Sequence, residues 1–250
     1  MRTVAFDLRG HGQSGDGVWS WDQALADIEA VSQHLNLGTA AVAGHSLGGM
    51  LAAMWANSHP GTPVVNLDGH GRRTLSQFAG IREEDARRRV AESERRVKAS
   101  LGALSGPLPP ALVDGLMAQQ RALAATFGAP EEMFVEAIDR TLRRSDGAAF
   151  LRPSPVGLGA EILASAESFD MFSLYEQVQA PVLVIAGTAA DPGADPELMA
   201  AYRQGLRRDL EHVAYRHSNV TVEFHGGGHG LLFEDPQGIA SRISAFLTQH

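Results

Sequence analysis

Ser46 lies between two glycines in the stretch Gly44-His45-Ser46-Leu47-Gly48, directly after the apolar residues 41–43. A serine hydroxyl can act as a nucleophile when a tight turn lifts it clear of a sheet. Glycine has no Cβ atom, so the two flanking glycines would allow a sharp turn from a strand into a helix. The N-terminus of that helix would favour a developing negative charge. The alternative is a glycine-rich turn with an incidental serine.

A nucleophilic serine needs a base, and His229 is the predicted one. An imidazole titrates near neutral pH, so it can take the serine proton and later return it to the leaving group. His229 follows a predicted strand and lies among glycines, which would allow its loop to reach inward. His225, at the strand end, is the competing base. A metal site formed by the two histidines is not expected, because the glycines between them will not hold a helix that aligns two ligands.

Two aspartates are placed to orient that histidine, Asp191 and Asp68. A carboxylate beside an imidazole fixes its tautomer and stabilises the imidazolium. Asp191 lies in the loop after the apolar run 181–186, and Asp68 directly follows the apolar run 64–67. Aspartate is also common as a turn-capping residue, which is the alternative role for Asp68. We expect His45 to be structural and assign no role to His70.

The elements that would position these residues alternate between strands and helices, which predicts a mainly parallel α/β sheet. The predicted strands are residues 3–7, 39–43, 64–67, 181–186 and 220–224, and the predicted helices among them begin near Ser20 (capped, with Gln23), Gly49, Pro196 and Pro236. The carboxyl ends of parallel strands share one edge of a sheet. We therefore expect Ser46, Asp68, Asp191 and His229 to lie along the same edge.

Residues 72–168 have a different character, with helical patterns, Gly and Pro breaks and no strand signal. Helices are predicted over 81–101, 111–127 and 130–144. The first is highly charged and typical of a solvated helix with near-neighbour ion pairs. Several apolar side chains in and after this segment would either belong to the core or line a largely apolar pocket. They are Phe127, Met133, Phe134, Phe150, Phe169, Met171 and Phe172.

The composition is typical of a soluble globular protein, with 250 residues, 44% hydrophobic and 20% charged. A net charge of −8 argues against general nucleic-acid binding, which needs a basic surface. Without cysteine the chain has neither disulfides nor thiolate chemistry. No apolar run is long enough to span a membrane, and the first residues do not form a signal peptide. We expect a cytoplasmic protein with no membrane or nucleic-acid partner.

Taken together, these features resemble the α/β-hydrolase family, in its serine-nucleophile branch of esterases, lactonases and haloperoxidase-like enzymes. The landmarks lie in the family's order. Residues 6–14 are similar to the loop after the family's fourth strand, and residues 44–48 are similar to its nucleophile turn. Residues 181–187 are similar to the strand that carries the acid, and residues 228–236 are similar to the histidine loop and last helix. The family's chain order implies a triad of Ser46, Asp191 and His229. Asp68 is the alternative acid, because some members carry the acid after the preceding strand.

The resemblance also implies a domain organisation. Residues 1–71 and 169–250 would form the α/β-hydrolase core, a mainly parallel sheet, and residues 72–168 a helical cap inserted after the third strand of this chain. The family's oxyanion hole takes one backbone N–H from the residue after the nucleophile, here Leu47. A second donor follows a strand for which this sequence has no counterpart, so we expect an N-terminally truncated chain, re-paired strands or a second chain that supplies it. An open sheet edge would favour a homo-oligomer.

The function that the resemblance implies is hydrolysis of an ester, thioester, lactone or amide bond in a small-molecule acyl substrate. The reaction would pass through an acyl-serine intermediate, with no cofactor and no metal. A carbon–carbon bond hydrolase or a cofactor-free haloperoxidase would use the same triad. The alternative of another class is a non-catalytic protein of this fold that binds a small molecule or a partner.

Overall fold

The computed structural model describes residues 2–190 and 194–250. The helices are α1 Trp21–His34, α2 Leu47–Ser58, α3 Glu83–Ala103, α4 Pro110–Phe127, α5 Glu131–Arg140, α6 Leu158–Ser168, α7 Met171–Tyr175, α8 Pro196–Arg216, α9 Leu231–Glu234 and α10 Pro236–Gln249, with a 3₁₀ turn at Leu75–Gln77. The strands are β1 Val42–His45, β2 Val64–Leu67, β3 Leu142–Ser145, β4 Ala148–Leu151, β5 Val182–Gly187 and β6 Val220–His225.

In the described residues, β1, β2, β5 and β6 form a parallel sheet in that spatial order. Every residue of β2 and β5 is buried, as expected for central strands covered on both faces. One core cluster joins these strands to the C-terminal helices, and it consists of Val65, Leu67, Leu183, Ile185, Leu231, Ile239 and Phe246. The predicted α/β class with a mainly parallel sheet is confirmed.

Local signals place several helices where the sequence predicts them. The hydroxyl of Ser20 accepts the backbone N–H of Gln23 at 3.1 Å, which caps α1. The carboxylates of Asp195 and Asp235 accept backbone N–H groups at the starts of α8 and α10 in the same way. Helix α8 begins at Pro196, as predicted, and extends to Arg216. Among the described residues, none of the helices is both long and apolar enough to cross a membrane.

The strand predicted at residues 3–7 is wrong, because residues 2–8 form no regular element. Val4 and Phe6 are 36% and 39% exposed, where a central strand would bury them. An extended segment becomes a strand only when a neighbouring strand takes its backbone hydrogen bonds. Among the described residues, β1 pairs only with β2, so no strand lies at its other edge. The helical segment therefore follows the second strand of this chain rather than the third.

The helix predicted over 130–144 is also wrong at its end. Helix α5 ends at Arg140, and β3 and β4 then form an antiparallel hairpin. Asp146 and Gly147 have φ angles of 52° and 78°, the left-handed pair that a two-residue hairpin turn requires. The Asp-Gly pair was the sequence signal for this hairpin. Leu142 and Ala149 bury their side chains against Leu108, which gives the hairpin a small core of its own.

The chain divides into two compact units. The first consists of Met1–Asp27 and Arg95–Ser165, and the second of Ile28–Glu94 and Ala166–His250. The division into a core of residues 1–71 and 169–250 and a cap of residues 72–168 stays a prediction. The compact units differ from it mainly in two segments, because residues 1–27 belong to the first unit with most of the predicted cap, and residues 72–94 belong to the second unit with most of the predicted core. All the residues predicted to carry chemistry that the structure describes lie in the second unit.

Candidate active site

Ser46 makes the turn between β1 and α2, because the strand ends at His45 and the helix begins at Leu47. Its backbone has φ 54° and ψ −117°, a left-handed conformation that a non-glycine residue rarely adopts. Gly44 is required for this turn, since a Cβ there would lie 2.1 Å from the carbonyl carbon of Gly48. The turn leaves Ser46 half-buried, at the N-terminus of a helix whose first N–H groups have no intrahelical partner.

Asp68 lies in a second tight turn, directly after β2, with φ 53°. The buried side chain of Asn66 spans this turn, because its Oδ1 accepts the N–H of Gly69 at 2.9 Å and its Nδ2 donates to the carbonyl of Gly69 at 2.7 Å. The same Nδ2 group contacts the Tyr175 hydroxyl at 2.6 Å. Aspartate tolerates the left-handed region better than most residues. The turn therefore holds the Asp68 carboxylate in the interior, with its side chain 1% exposed.

His229 reaches Asp68 from the loop after β6. Its Nδ1 lies 2.8 Å from Oδ2 of Asp68, while its side chain remains 41% exposed. The loop is held from behind by Glu234, whose two carboxylate oxygens accept the N–H of Gly228 at 3.2 and 3.1 Å. The Nδ1 edge of the imidazole thus contacts a buried carboxylate, and part of the ring stays exposed to solvent.

His45, the residue before Ser46, connects the serine turn to the histidine loop. Its Nε2 donates to the backbone carbonyl of His229 at 2.7 Å, and the two rings lie 4.6 Å apart. Burial, with a smaller contribution from the nearby His229, lowers the pKa of His45 below its usual 6.5. A neutral His45 with its proton on Nε2 satisfies this contact. The predicted structural role of His45 is consistent with this position.

The Asp68 carboxylate is surrounded by donors. Oδ1 faces His70 Nε2 at 2.8 Å, Arg203 Nη1 at 2.8 Å and the N–H of Gly187 at 2.9 Å. Oδ2 faces Arg203 Nη2 at 3.0 Å and His229 Nδ1 at 2.8 Å. Burial by itself would raise the pKa of Asp68, but the hydrogen bonds from both histidines and the guanidinium charge hold it well below its ordinary value.

An ionised Asp68 determines the histidine tautomer. A carboxylate only accepts hydrogen bonds, so the proton in the contact with His229 must lie on Nδ1. The other nitrogen, Nε2, is then unprotonated in the neutral ring and can accept a proton. This is the tautomer that a general base needs.

Neighbouring strands place Ser46 and Asp68 side by side. The N–H of Ser46 donates to the carbonyl oxygen of Leu67 at 2.8 Å, and the N–H of Asp68 donates to that of Ile185 at 2.9 Å. A Cβ on Gly69 would lie 2.3 Å from the carbonyl oxygen of Ser46, so the two turns are in contact and the second needs glycine. The described residues thus bring both turns together at the carboxyl edge of the sheet, as the strand pattern predicts.

The predicted acid Asp191 lies outside the described residues, whereas the alternative acid Asp68 contacts His229. The competing base His225 is buried at the end of β6, and its backbone carbonyl accepts the N–H and hydroxyl of Thr188. Leu47, the predicted oxyanion donor, is the first residue of α2. Within residues 2–190 and 194–250 we assign no second oxyanion donor beside it.

Two residues of this cluster carried no predicted role. His70 is two positions after Asp68, and this close spacing is the only sequence signal that would have suggested it. Arg203 lies in the middle of α8, 135 positions away from Asp68, and no sequence signal connects them. Within residues 2–190 and 194–250, no group of three or more His, Cys, Asp or Glu side chains is arranged to hold a metal ion.

The first compact unit contains a cavity of about 520 Å³. Phe150, one of the predicted pocket residues, lines it together with Leu151, Leu158 and the arginines at 143 and 152. Two other predicted pocket residues are core instead, since Phe134 is 3% exposed and Met171 1% exposed. Phe150 lines a cavity, and a role for it in binding substrate stays a prediction.

Comparison with known families decides where this chain belongs. Residues 1–242 of the 250 match the sequence profile of a family described as "Alpha/beta hydrolase family". The chain belongs to the alpha/beta hydrolase family. A stretch of 70 residues is also 39% identical to the AB hydrolase superfamily protein YisY of Bacillus subtilis (strain 168), and this match covers 27% of this chain and 26% of that protein.

Solved structures of the alpha/beta hydrolase fold resemble the chain over nearly its whole length. An E-2-(acetamidomethylene)succinate hydrolase superposes with a TM-score of 0.67 at 19% identity, covering 97% of this chain and 80% of that one. A bromoperoxidase from Bacillus anthracis gives a TM-score of 0.59 at 18% identity, with coverages of 97% and 80%. At such identities the likeness concerns the fold.

Proposed function

We propose that this alpha/beta hydrolase is a serine hydrolase that cleaves an ester, thioester, lactone or amide bond of a small organic substrate. Ser46 is the nucleophile, His229 the general base and acid, and Asp68 the carboxylate that orients His229. The observation that carries the proposal is the 2.8 Å contact between His229 Nδ1 and a buried, ionised Asp68, beside the strained turn at Ser46.

The proposed reaction has two halves. In the first, Oγ of Ser46 attacks the acyl carbon while its proton passes to Nε2 of His229, and the carbonyl oxygen becomes an oxyanion near the N–H of Leu47. The oxyanion then collapses, the bond to the leaving group breaks, and His229 protonates that group. In the second half, water attacks the acyl-serine by the same route, which releases the carboxylic acid and restores the serine hydroxyl.

Burial of Asp68 supports this assignment of roles. As His229 takes up the serine proton, a positive charge forms on the imidazole, and a carboxylate 2.8 Å away stabilises it. Asp68 is 1% exposed, so solvent does not surround the carboxylate, while the imidazole that it faces is 41% exposed. Asp191, the carboxylate that chain order favours, is the competing assignment, and the experiment below separates the two.

The test of the nucleophile is labelling by a serine-reactive fluorophosphonate probe, with hydrolysis of p-nitrophenyl butyrate measured in parallel. We expect the wild type to be labelled, and Ser46→Ala to lose both labelling and at least about 10⁴-fold in kcat. Ser241→Ala is the matched control, because this exposed hydroxyl bonds only within its own helix. An unlabelled, inactive wild type that binds small acyl compounds would instead indicate the non-catalytic alternative.

The test of the acid compares Asp68→Asn with Asp191→Asn in the same assay. Asn at position 68 can donate a hydrogen bond to Nδ1, which would favour the wrong imidazole tautomer. We expect kcat to fall on the order of 10³–10⁴-fold in Asp68→Asn and far less in Asp191→Asn. The reverse pattern would return the role to Asp191, and full activity in both variants would contradict a triad.

A further inference from the structure

Arg203 forms a bidentate ion pair with Asp68, which means that two N–H groups bind the two carboxylate oxygens. Nη1 donates to Oδ1 at 2.8 Å and Nη2 donates to Oδ2 at 3.0 Å, so each carboxylate oxygen receives one N–H group. The Arg203 side chain is 7% exposed. Two parallel N–H···O bonds fix the plane of a carboxylate as well as its charge, which a single point charge does not do.

Five donor contacts surround the Asp68 carboxylate in the described part of the chain. Oδ1 accepts from Gly187 and contacts His70 as well as Arg203. Oδ2 contacts Arg203 and His229. A carboxylate offers about four acceptor positions, so this one is saturated. With Arg203 in place, rotation of the carboxylate would break several hydrogen bonds at once, and Oδ2 stays directed at His229.

Helix α8 holds the guanidinium in place. Arg203 is on the buried side of this helix, next to Tyr202 and near Leu206, which are 5% and 1% exposed. Two residues further on, Gly205 lets the helix approach the 3₁₀ turn so closely that a Cβ would lie 2.0 Å from the carbonyl oxygen of Gln77. A side chain carried by a packed helix is positioned more accurately than one carried by a loop.

We propose that Arg203 is a positioning residue, which keeps Asp68 ionised and turned so that Oδ2 accepts the Nδ1–H of His229. This inference rests on the proposed function and deepens it. A buried carboxylate that loses its cation either takes up a proton or reorients. A protonated Asp68 would no longer stabilise the imidazolium, and a rotated one would release the imidazole.

The inference predicts the direction of a pH effect. Without Arg203, burial favours the protonated form of Asp68, so the carboxylate is lost at a higher pH than in the wild type. Because the proposed mechanism needs this carboxylate ionised, the acid limb of the pH–rate profile moves to higher pH. The other titratable groups that face Asp68 among the described residues are His70 and His229 by hydrogen bonds, with His45 and Tyr202 further away.

The experiment compares Arg203→Gln, Arg203→Lys and the control Arg208→Gln, which removes an exposed arginine from the same helix. We measure kcat and KM for p-nitrophenyl butyrate from pH 5 to 9. For Arg203→Gln we expect kcat to fall roughly ten- to a hundredfold, KM to stay within about twofold, and the acid limb to move up by about half a pH unit or more. Arg203→Lys keeps the charge but replaces the two N–H groups by a single point charge, so it should keep the wild-type acid limb and lower kcat several-fold.

The outcomes separate this inference from the proposed function. An active wild type with Arg203→Gln indistinguishable from Arg208→Gln would overturn the role of Arg203 alone, and so would a loss of kcat with an unmoved acid limb. A wild type that is neither active nor labelled overturns the proposed function and this inference with it. If circular dichroism shows that Arg203→Gln is unfolded, the result for Arg203→Lys decides. A several-fold lower kcat in Arg203→Lys supports the bidentate contact, and a wild-type kcat overturns it.

Discussion

At the scale of single residues, the serine turn is the most strained feature of the candidate site. Ser46 has φ 54° and ψ −117°, where a Cβ atom crowds the backbone. The surrounding packing compensates for this strain, since the N–H of Ser46 bonds to Leu67 and its carbonyl accepts the N–H of Met50. Strain at the proposed nucleophile is consistent with a turn that serves chemistry rather than stability.

A first prediction follows for stability at this position. Ser46→Gly relieves the strain and Ser46→Ala does not, so we expect the glycine variant to have the higher free energy of unfolding, by about 1 kcal/mol. Urea denaturation of both inactive variants measures the difference. The order should reverse at Ser241 in helix α10, where glycine is less stable than alanine. Equal stabilities of the two Ser46 variants would mean that the turn stores no strain.

At the scale of elements, helix α8 both covers the sheet and carries a residue of the site. Its buried face includes Leu198, Leu206 and Leu210, and its contact with the 3₁₀ turn depends on Gly205. The helix places Arg203 against Asp68 only if this close approach is kept. Packing of one helix and the geometry of the carboxylate are therefore coupled.

We predict that Gly205→Ala destabilises the protein although alanine is the better helix former. Its Cβ would lie 2.0 Å from a backbone oxygen that cannot move without shifting the 3₁₀ turn, so we expect a loss of about 1–3 kcal/mol in thermal or urea unfolding. Gly115→Ala in α4 is the matched control, because its Cβ would meet nothing within 4 Å. That variant should gain about 0.5–1 kcal/mol. A stabilised Gly205→Ala would contradict the observed packing.

At the scale of the whole molecule, one buried carboxylate and one half-buried imidazole make stability depend on pH in the same direction. The pKa of Asp68 is held well below its ordinary 3.8, and that of His45 below its ordinary 6.5. In each case the unfolded chain binds protons more readily than the folded one. The stability that these groups contribute is complete above the ordinary value and is lost as the pH falls below it.

We therefore predict that the free energy of unfolding falls in two ranges on acidification. The first begins near pH 6.5 and comes from His45, and the second begins near pH 4 and comes mainly from Asp68. Urea denaturation at pH steps from 8 to 3 measures both. His45→Gln should flatten the first range and leave the second. A stability that stays constant from pH 8 to 5 in the wild type would contradict a half-buried His45 that stays neutral in the folded protein.

Much of the local structure was predictable, because it depends on neighbours in the chain. The glycines around Ser46, the cap at Ser20 and the apolar runs of the central strands act over a few residues. The Asp146-Gly147 hairpin belongs to the same class, although the helical patterns on either side of it obscure its signal. The strand expected at residues 3–7 failed for the opposite reason, since strand formation requires a partner that the segment's own sequence does not contain.

By itself, the sequence predicted the kind of chemistry proposed for this alpha/beta hydrolase and the edge of the sheet where it would occur. Residue types and their places after strands were enough to select Ser46 and His229 as candidates, but they favoured Asp191 as the acid and gave Asp68 only as the alternative. Only the tertiary structure decided that Asp68 contacts His229 and that Arg203 holds Asp68 across 135 positions of chain. A buried charge must be paired, but which distant residue pairs with it depends on how helices and strands pack, and no local pattern records that choice.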